Sequence, residues 1–222
     1  MKKVFSLNTI KEREKNLSLV IPNILEQADV LYVNLIGHVD IPKILNNDKI
    51  IINSFKGGGS EYRFYNYNDC EDDSYFFTID DDIVYPLDYS DVLIKNMKLY
   101  NNKAVCCVHF SIIKMDNGYN LYNRCRMIYN FKKKLNENTK AMVPGVGTSC
   151  FYKGNVKINL SDFKVPNMSD PYIANFLKKQ NIDIYAIKRE ELWMKPLPDY
   201  GKKIYGNHPN EEIDKVLKDA FL

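Results

Sequence analysis

The sequence has no Cys-x-x-Cys pair, no long apolar run, only three histidines and very little net charge. Each shortage removes a class of function. The five cysteines (Cys70, Cys106, Cys107, Cys125 and Cys150) are odd in number and wrongly spaced for a zinc-thiolate knuckle or a redox dithiol. Cys106 and Cys107 sit in an apolar run and read as buried thiols. A formal charge of +3 cannot generate the broad positive field on which dedicated nucleic-acid binding depends. The opening MKKVFSLNTIKERE has two lysines but no apolar stretch of the length a secretion signal or a membrane span needs, so a cytoplasmic location is expected. There is no internal repeat and no low-complexity linker. At 222 residues and 45% hydrophobic content, the expectation is one domain with a sizeable core.

What is present is an alternation of short β-rich apolar runs and helical patterns, the signature of a mainly parallel α/β sheet flanked by helices. Strands are expected at Val4 to Leu7, Val30 to Ile36, Lys49 to Asn53 and Tyr75 to Ile79, with a fifth from Ala104 to Phe110. A helix is expected from Glu12 to Gln27, kinked or interrupted at Pro22, and another up to Tyr100, capped by Asp88 or Ser90. The second half is less regular. MVPGVGTSC reads as loop, Asp170 to Gln180 as helix, Ile182 to Ile187 as strand and Glu211 to Phe221 as an amphipathic helix. His38 is expected in a surface turn.

The fourth strand, YFFTI, ends abruptly in Asp80, Asp81 and Asp82. Ligands of open α/β sheets bind beyond the carboxyl ends of the strands, so the charge lies where ligands go. Adjacent carboxylates repel one another, and a hard divalent ion, Mg2+ or Mn2+, relieves that repulsion while keeping positions open for phosphate oxygens. In an extended chain Asp80 and Asp82 point one way and Asp81 the other. A solvated acidic turn is the plain alternative. An unbroken apolar strand before the triplet and the apolar IVYP after it favour a rigidly held site. A calcium EF-hand loop is excluded by the missing alternate ligands, and an aspartate-nucleophile phosphatase lacks its partner motifs.

YFFTI followed by DDDIVYPLDY resembles a set of bacterial GT-A glycosyltransferases, related to the inverting glycosyltransferase family two, in which an acidic triplet precedes a Tyr-Pro-x-Asp-Tyr turn. SLNTIKERE, with Ser6 and Arg13, resembles their nucleotide-binding start. GGGSEYRFY resembles their glycine-containing loop ending in a basic residue, here Arg63. VPNMSDPYIANFLKKQNIDIYAI resembles their Asn-Met-x-Asp helix start, where a catalytic carboxylate stands, here Asp170.

The resemblance implies a GT-A-like, Rossmann-like fold, with residues 1–82 forming a nucleotide-binding half and residues 83–222 an acceptor-binding half and tail. It implies transfer of a sugar from a nucleotide-diphosphate donor, most simply a UDP-sugar, to a glycan or lipid-linked acceptor. Asp82 is then the principal metal ligand, helped by Asp80 and by His208 of the tail; Ser6, Arg13, Arg63, Asp80 and Asp81 serve the donor. Asp170 is the general base, the plain alternative being a helix cap. His109 and Thr148 face acceptor or sugar, although a strand-end histidine and an ordinary turn threonine would look the same. Lys132, Lys133 and Lys134 with Arg124 and Arg126 read as a solvated basic face, or more sharply as attraction to an anionic membrane surface. A nucleotidyltransferase could use the same carboxylates, and so could a binding module without turnover.

Overall fold

A computed structural model describes residues 1–114, 126–198 and 210–221. Strand β1 (Lys3–Ile10) is followed by a tight 3-10 turn over Lys11–Asn16 and then by helix α1 (Leu17–Leu25). The interruption falls at Asn16, ahead of Pro22. The charged run KEREKN has no apolar face to pack, whereas Leu17, Val20, Ile21 and Ile24 recur at helical spacing and are all buried. β2 (Val30–Ile36) and β3 (Ile50–Phe55) then extend the sheet, and β4 (Tyr75–Ile79) leads through the acidic triplet into the short β5 (Ile83–Val84).

α2 (Tyr89–Leu99) follows with Asp88 at its N-terminal boundary, but no side chain caps it. The Asp88 carboxylate accepts a bond from the Trp193 indole at 3.2 Å, and the Ser90 amide donates to Gln27 at 2.8 Å. The expected fifth strand is two strands, β6 (Ala104–Cys107) and β7 (Phe110–Ile113), broken where the amides of Val108 and His109 both turn to Thr148. β8 (Arg126–Tyr129), β9 (Thr139–Ala141), β10 (Val143–Pro144), β11 (Thr148–Tyr152), α3 (Ser169–Lys179), β12 (Asp183–Ala186), β13 (Lys195–Pro196) and α4 (Asn210–Phe221) complete the described chain.

Among the described residues, eight strands form the main sheet in the order β3-β2-β1-β4-β11-β6-β12-β9. β3, β2, β1 and β4 are mutually parallel, as are β6 and β12. β11 runs antiparallel between β4 and β6, in a segment expected to be loop. Its residues Thr148, Ser149 and Cys150 are short and follow two glycines, which hides a strand from pattern reading. In place, all three are buried at the sheet centre.

β4 is buried on both faces, which is why its sequence is continuously apolar. Tyr75, Phe77 and Ile79 join the core under α1 and α2, while Phe76 joins the opposite core with Phe64, Phe151 and Ile173. Phe77 stacks on its register partner Phe5 at 4.5 Å between ring centroids. The sheet centre is thereby stiff, and the ends of β1, β4 and β11 are fixed relative to one another. Among the described residues no helix is long and apolar enough to cross a membrane.

Candidate active site

Beyond Ile79 the chain turns through the three aspartates, and β5 is held by β13 in an antiparallel pair. The Leu197 amide donates to the Asp82 carbonyl at 2.7 Å, so the turn is clasped from both sides. The extended alternation expected from the sequence is not kept, because Asp81 and Asp82 lie in a turn and both reach Arg13. Asp80 and Asp82 are 30% and 37% exposed, while Asp81 is 6% exposed and tucked toward β1, where Thr9 and Arg13 bond to it.

Two arginines meet this cluster. The 3-10 turn after β1 aims Arg13 across the strand ends, and its Nη1 donates to Asp81 Oδ1 at 3.0 Å and to Asp82 Oδ2 at 3.2 Å. Arg63, in the 3-10 turn Ser60–Phe64, pairs with Asp80 and donates Nε–H to the Ile79 carbonyl at 3.1 Å. Both guanidinium side chains are only 13% exposed. Burial alone would weaken the Arg63 charge, but Asp80, Asp81 and Asp170 outweigh it and the pKa rises. Asp81 is pushed up by burial, with Arg13 and Thr9 pulling the other way. Burial and the Asp80 charge push Asp82 up to about 6 against the attraction of Arg13.

The turn of residues 145–147 brings Asp170 to the same place. The Gly145 amide donates to the His109 carbonyl at 2.7 Å, and the Val146 amide donates to Asp170 Oδ1 at 2.9 Å. The buried Tyr85 hydroxyl accepts from the Asp80 amide at 2.8 Å and donates to the Gly147 carbonyl at 2.5 Å. A Cβ on Gly147 would overlap the Asp80 carboxylate, and one on Gly145 would press on the His109 ring. Glycine is needed at both positions for close approach. Asp170 stands in the first turn of α3, but its carboxylate meets the Val146 amide, and the residue at the cap position is Met168.

The glycine loop is docked on the start of the same helix. Glu61 is buried and accepts the amides of Gly59 at 3.0 Å and Asn167 at 2.9 Å, and the Ser60 and Ser169 hydroxyls bond to each other. Below the loop, the register partners Asn8, Asn34 and Asn53 form a ladder across β1, β2 and β3. Asn34 donates to Asn8 at 3.0 Å and to the Tyr62 carbonyl at 2.9 Å, and Asn8 donates to the Gly59 carbonyl at 2.9 Å. These bonds set the height from which Arg63 reaches Asp80.

Of the residues singled out in the sequence, Arg13, Arg63, Asp80, Asp81, Asp82 and Asp170 come together. His109 and Thr148 lie at the neighbouring turn, but Thr148 is buried and its hydroxyl is engaged with the His109 amide at 2.8 Å and the Gly145 carbonyl at 3.1 Å. Ser6 is buried within the sheet, where its hydroxyl accepts from Asn34 at 3.3 Å. His208 lies outside the described residues, as do Arg124 and Cys125; Lys132, Lys133 and Lys134 are exposed, and Lys134 pairs with Glu190. The His38 side chain, expected at the surface, is 1% exposed because it folds back against the Lys11–Asn16 turn, 3.5 Å from Glu14. Tyr85, Gly147, Glu61 and Asn34 were not anticipated. Only the Tyr-Pro after the triplet and the spaced glycines before β11 carried any signal of them.

Among the described residues no three histidine, cysteine or acidic side chains are grouped to hold a metal ion. The two outward carboxylates, Asp80 and Asp82, nevertheless offer the all-oxygen donor set that Mg2+ or Mn2+ accepts, and such ions usually fill the remaining shell with water and substrate phosphate oxygens. The residues therefore fit a cation that arrives with a phosphate-bearing ligand.

No protein-family model and no curated protein matches this chain by sequence. Solved structures do match it in fold. The crystal structure of S. aureus TarS 1-349 in complex with UDP-GlcNAc superposes with a TM-score of 0.59 at 11% identity, covering 98% of this chain and 70% of that one. GalNAc-T7 with UDP, GalNAc and Mn2+ superposes with a TM-score of 0.62 at 5% identity, covering 84% of this chain and 42% of that one. The expected architecture is thus present: a GT-A-like, mainly parallel sheet flanked by helices.

Proposed function

We propose that this protein is a cation-dependent glycosyltransferase that moves a sugar, with inversion, from a nucleoside-diphosphate donor to a hydroxyl of a glycan or lipid-linked acceptor. The observation that carries the reading is the 145–147 turn, whose Val146 amide holds the Asp170 carboxylate while Gly147 abuts Asp80. A candidate base and the carboxylates that would face the diphosphate are thereby locked to one short segment. A UDP-sugar is the donor we favour, since both fold neighbours named above are complexes with UDP or a UDP-sugar.

Asp82 and Asp80 would hold the cation, which would supply Lewis-acid stabilisation to a diphosphate leaving group. Arg13 and Arg63 place fixed positive charge beside the same phosphates, where preorganised charge is most effective. Asp170 accepts the proton of the acceptor hydroxyl as its oxygen bonds to the sugar's anomeric carbon and the carbon-to-phosphate-oxygen bond breaks. The bond from the Val146 amide fixes the orientation of the Asp170 carboxylate. In this reading residues 1–82 chiefly bind the nucleotide and residues 83–222 the acceptor. The wider setting is bacterial surface polysaccharide synthesis at the cytoplasmic side of the membrane.

The test is incubation with UDP-, GDP- and CDP-linked sugars and Mn2+, with and without chelator, while nucleoside diphosphate release is measured. Chelator-sensitive release is expected. Pyrophosphate release from a nucleoside triphosphate would instead assign a nucleotidyltransferase, and tight donor binding with no release in the presence of acceptor extracts would assign a binding module.

A further inference from the structure

We infer that Arg13 is the resident counter-ion of the acidic turn, so that a divalent cation enters together with a nucleoside diphosphate and not ahead of it. The inference rests on the cation-site reading above and deepens it by specifying the order of assembly. A single guanidinium nitrogen bridges Asp81 at 3.0 Å and Asp82 at 3.2 Å, so the inner face of the carboxylate pair is already satisfied by a positive charge. The arginine is not a loose surface side chain. It is 13% exposed and springs from a turn bonded directly to the end of β1.

A cation approaching Asp82 alone meets that guanidinium at short range, where like charges in a partly dry site repel strongly. A cation and the diphosphate of a nucleotide sugar arrive as a neutral pair and leave the balance of carboxylates and arginines around the turn unchanged. The diphosphate also gives Arg13 a better partner than it gives up, because phosphate oxygens match the guanidinium fork. Arg63 is less free to exchange, being anchored through its Nε–H to the Ile79 carbonyl.

The experiment is Mn2+ binding followed by electron paramagnetic resonance, with and without UDP, on wild type, Arg13→Gln and Arg13→Lys, against a UDP-only control. Wild type is expected to bind Mn2+ at least about 10-fold more weakly than Arg13→Gln when UDP is absent, because only the glutamine variant removes the positive charge bonded to Asp82. Arg13→Lys, which keeps the charge, is expected to stay near wild type. Nucleotide-free wild type binding Mn2+ as tightly as Arg13→Gln would overturn the inference while leaving the cation site standing. No protein-bound Mn2+ in wild type or variants even with UDP would overturn the cation site itself. Should the glutamine variant fail to fold, wild type alone decides: saturable Mn2+ binding without UDP, as tight as binding with it, defeats the proposed order.

Discussion

Gly147 lies directly against the carboxylate of Asp80, with no room between them for a side chain. The contact joins the acidic turn to the segment that also bonds Asp170, so the spacing of the whole cluster depends on one missing methyl group. Gly147→Ala is expected to displace Asp80, lower stability by about 1–3 kcal/mol and weaken donor binding in the presence of Mn2+ by about 10-fold or more. Calorimetric titration and thermal unfolding would check both numbers. Unchanged donor affinity would remove Asp80 from the binding machinery.

Tyr85 is the second strut of that joint, since its hydroxyl links the Asp80 amide to the Gly147 carbonyl. Tyr85→Phe leaves two backbone groups without their partner in a buried place, and a loss of about 1–3 kcal/mol is expected in urea unfolding. The effect should exceed that of a tyrosine-to-phenylalanine change at exposed Tyr65.

Asp170→Asn keeps the shape of the side chain and an oxygen to accept from Val146, but it removes the basic carboxylate. Turnover is expected to fall by about 100-fold or more with donor affinity nearly unaltered, as steady-state rates and direct binding would record. Wild-type turnover in this variant would take Asp170 out of the chemistry.

Asp82 has a folded-state pKa pushed up to about 6, above the ordinary value for an aspartate, by burial and by Asp80. A raised carboxyl pKa means that the folded protein holds its proton longer than the unfolded chain, so stability falls as pH rises from about 4 to about 6 and stays lower above. Asp82→Asn is therefore expected to melt higher than wild type at pH 8 without metal, with the difference vanishing near pH 4. The gain is modest, because over a third of the side chain is in water. Cation binding should show the opposite dependence, weakening as pH drops through about 6 and a proton occupies the ligand.

Much of this arrangement was readable from residue order. β2 and β4 fall where their apolar runs lie, and the acidic triplet follows β4 because a strand buried on both faces must give way abruptly to the polar residues that leave the sheet. The differing exposure of the three aspartates comes from the turn they form and was not given by alternation along an extended chain. The errors came where contacts distant in sequence decide the local state. Thr148 to Tyr152 is short, polar at its start and preceded by glycines, so nothing local marks it as a strand; it becomes one because β4 and β6 present open edges on both sides. Ser6 belongs to a motif that suggested ligand contact; in place it is buried, and its hydroxyl accepts from Asn34, two residues along β2 from its register partner Tyr32.

By itself, then, the sequence determined the parallel α/β character of the first half and the position of the carboxylates at a strand end, because periodicity and burial are local properties of a chain. Only the tertiary structure decided that Arg13 and Arg63 neutralise those carboxylates and that Asp170 reaches them through the Val146 amide. These contacts join residues 17 to 69 positions apart, and no local pattern encodes which distant partner a buried charge will find.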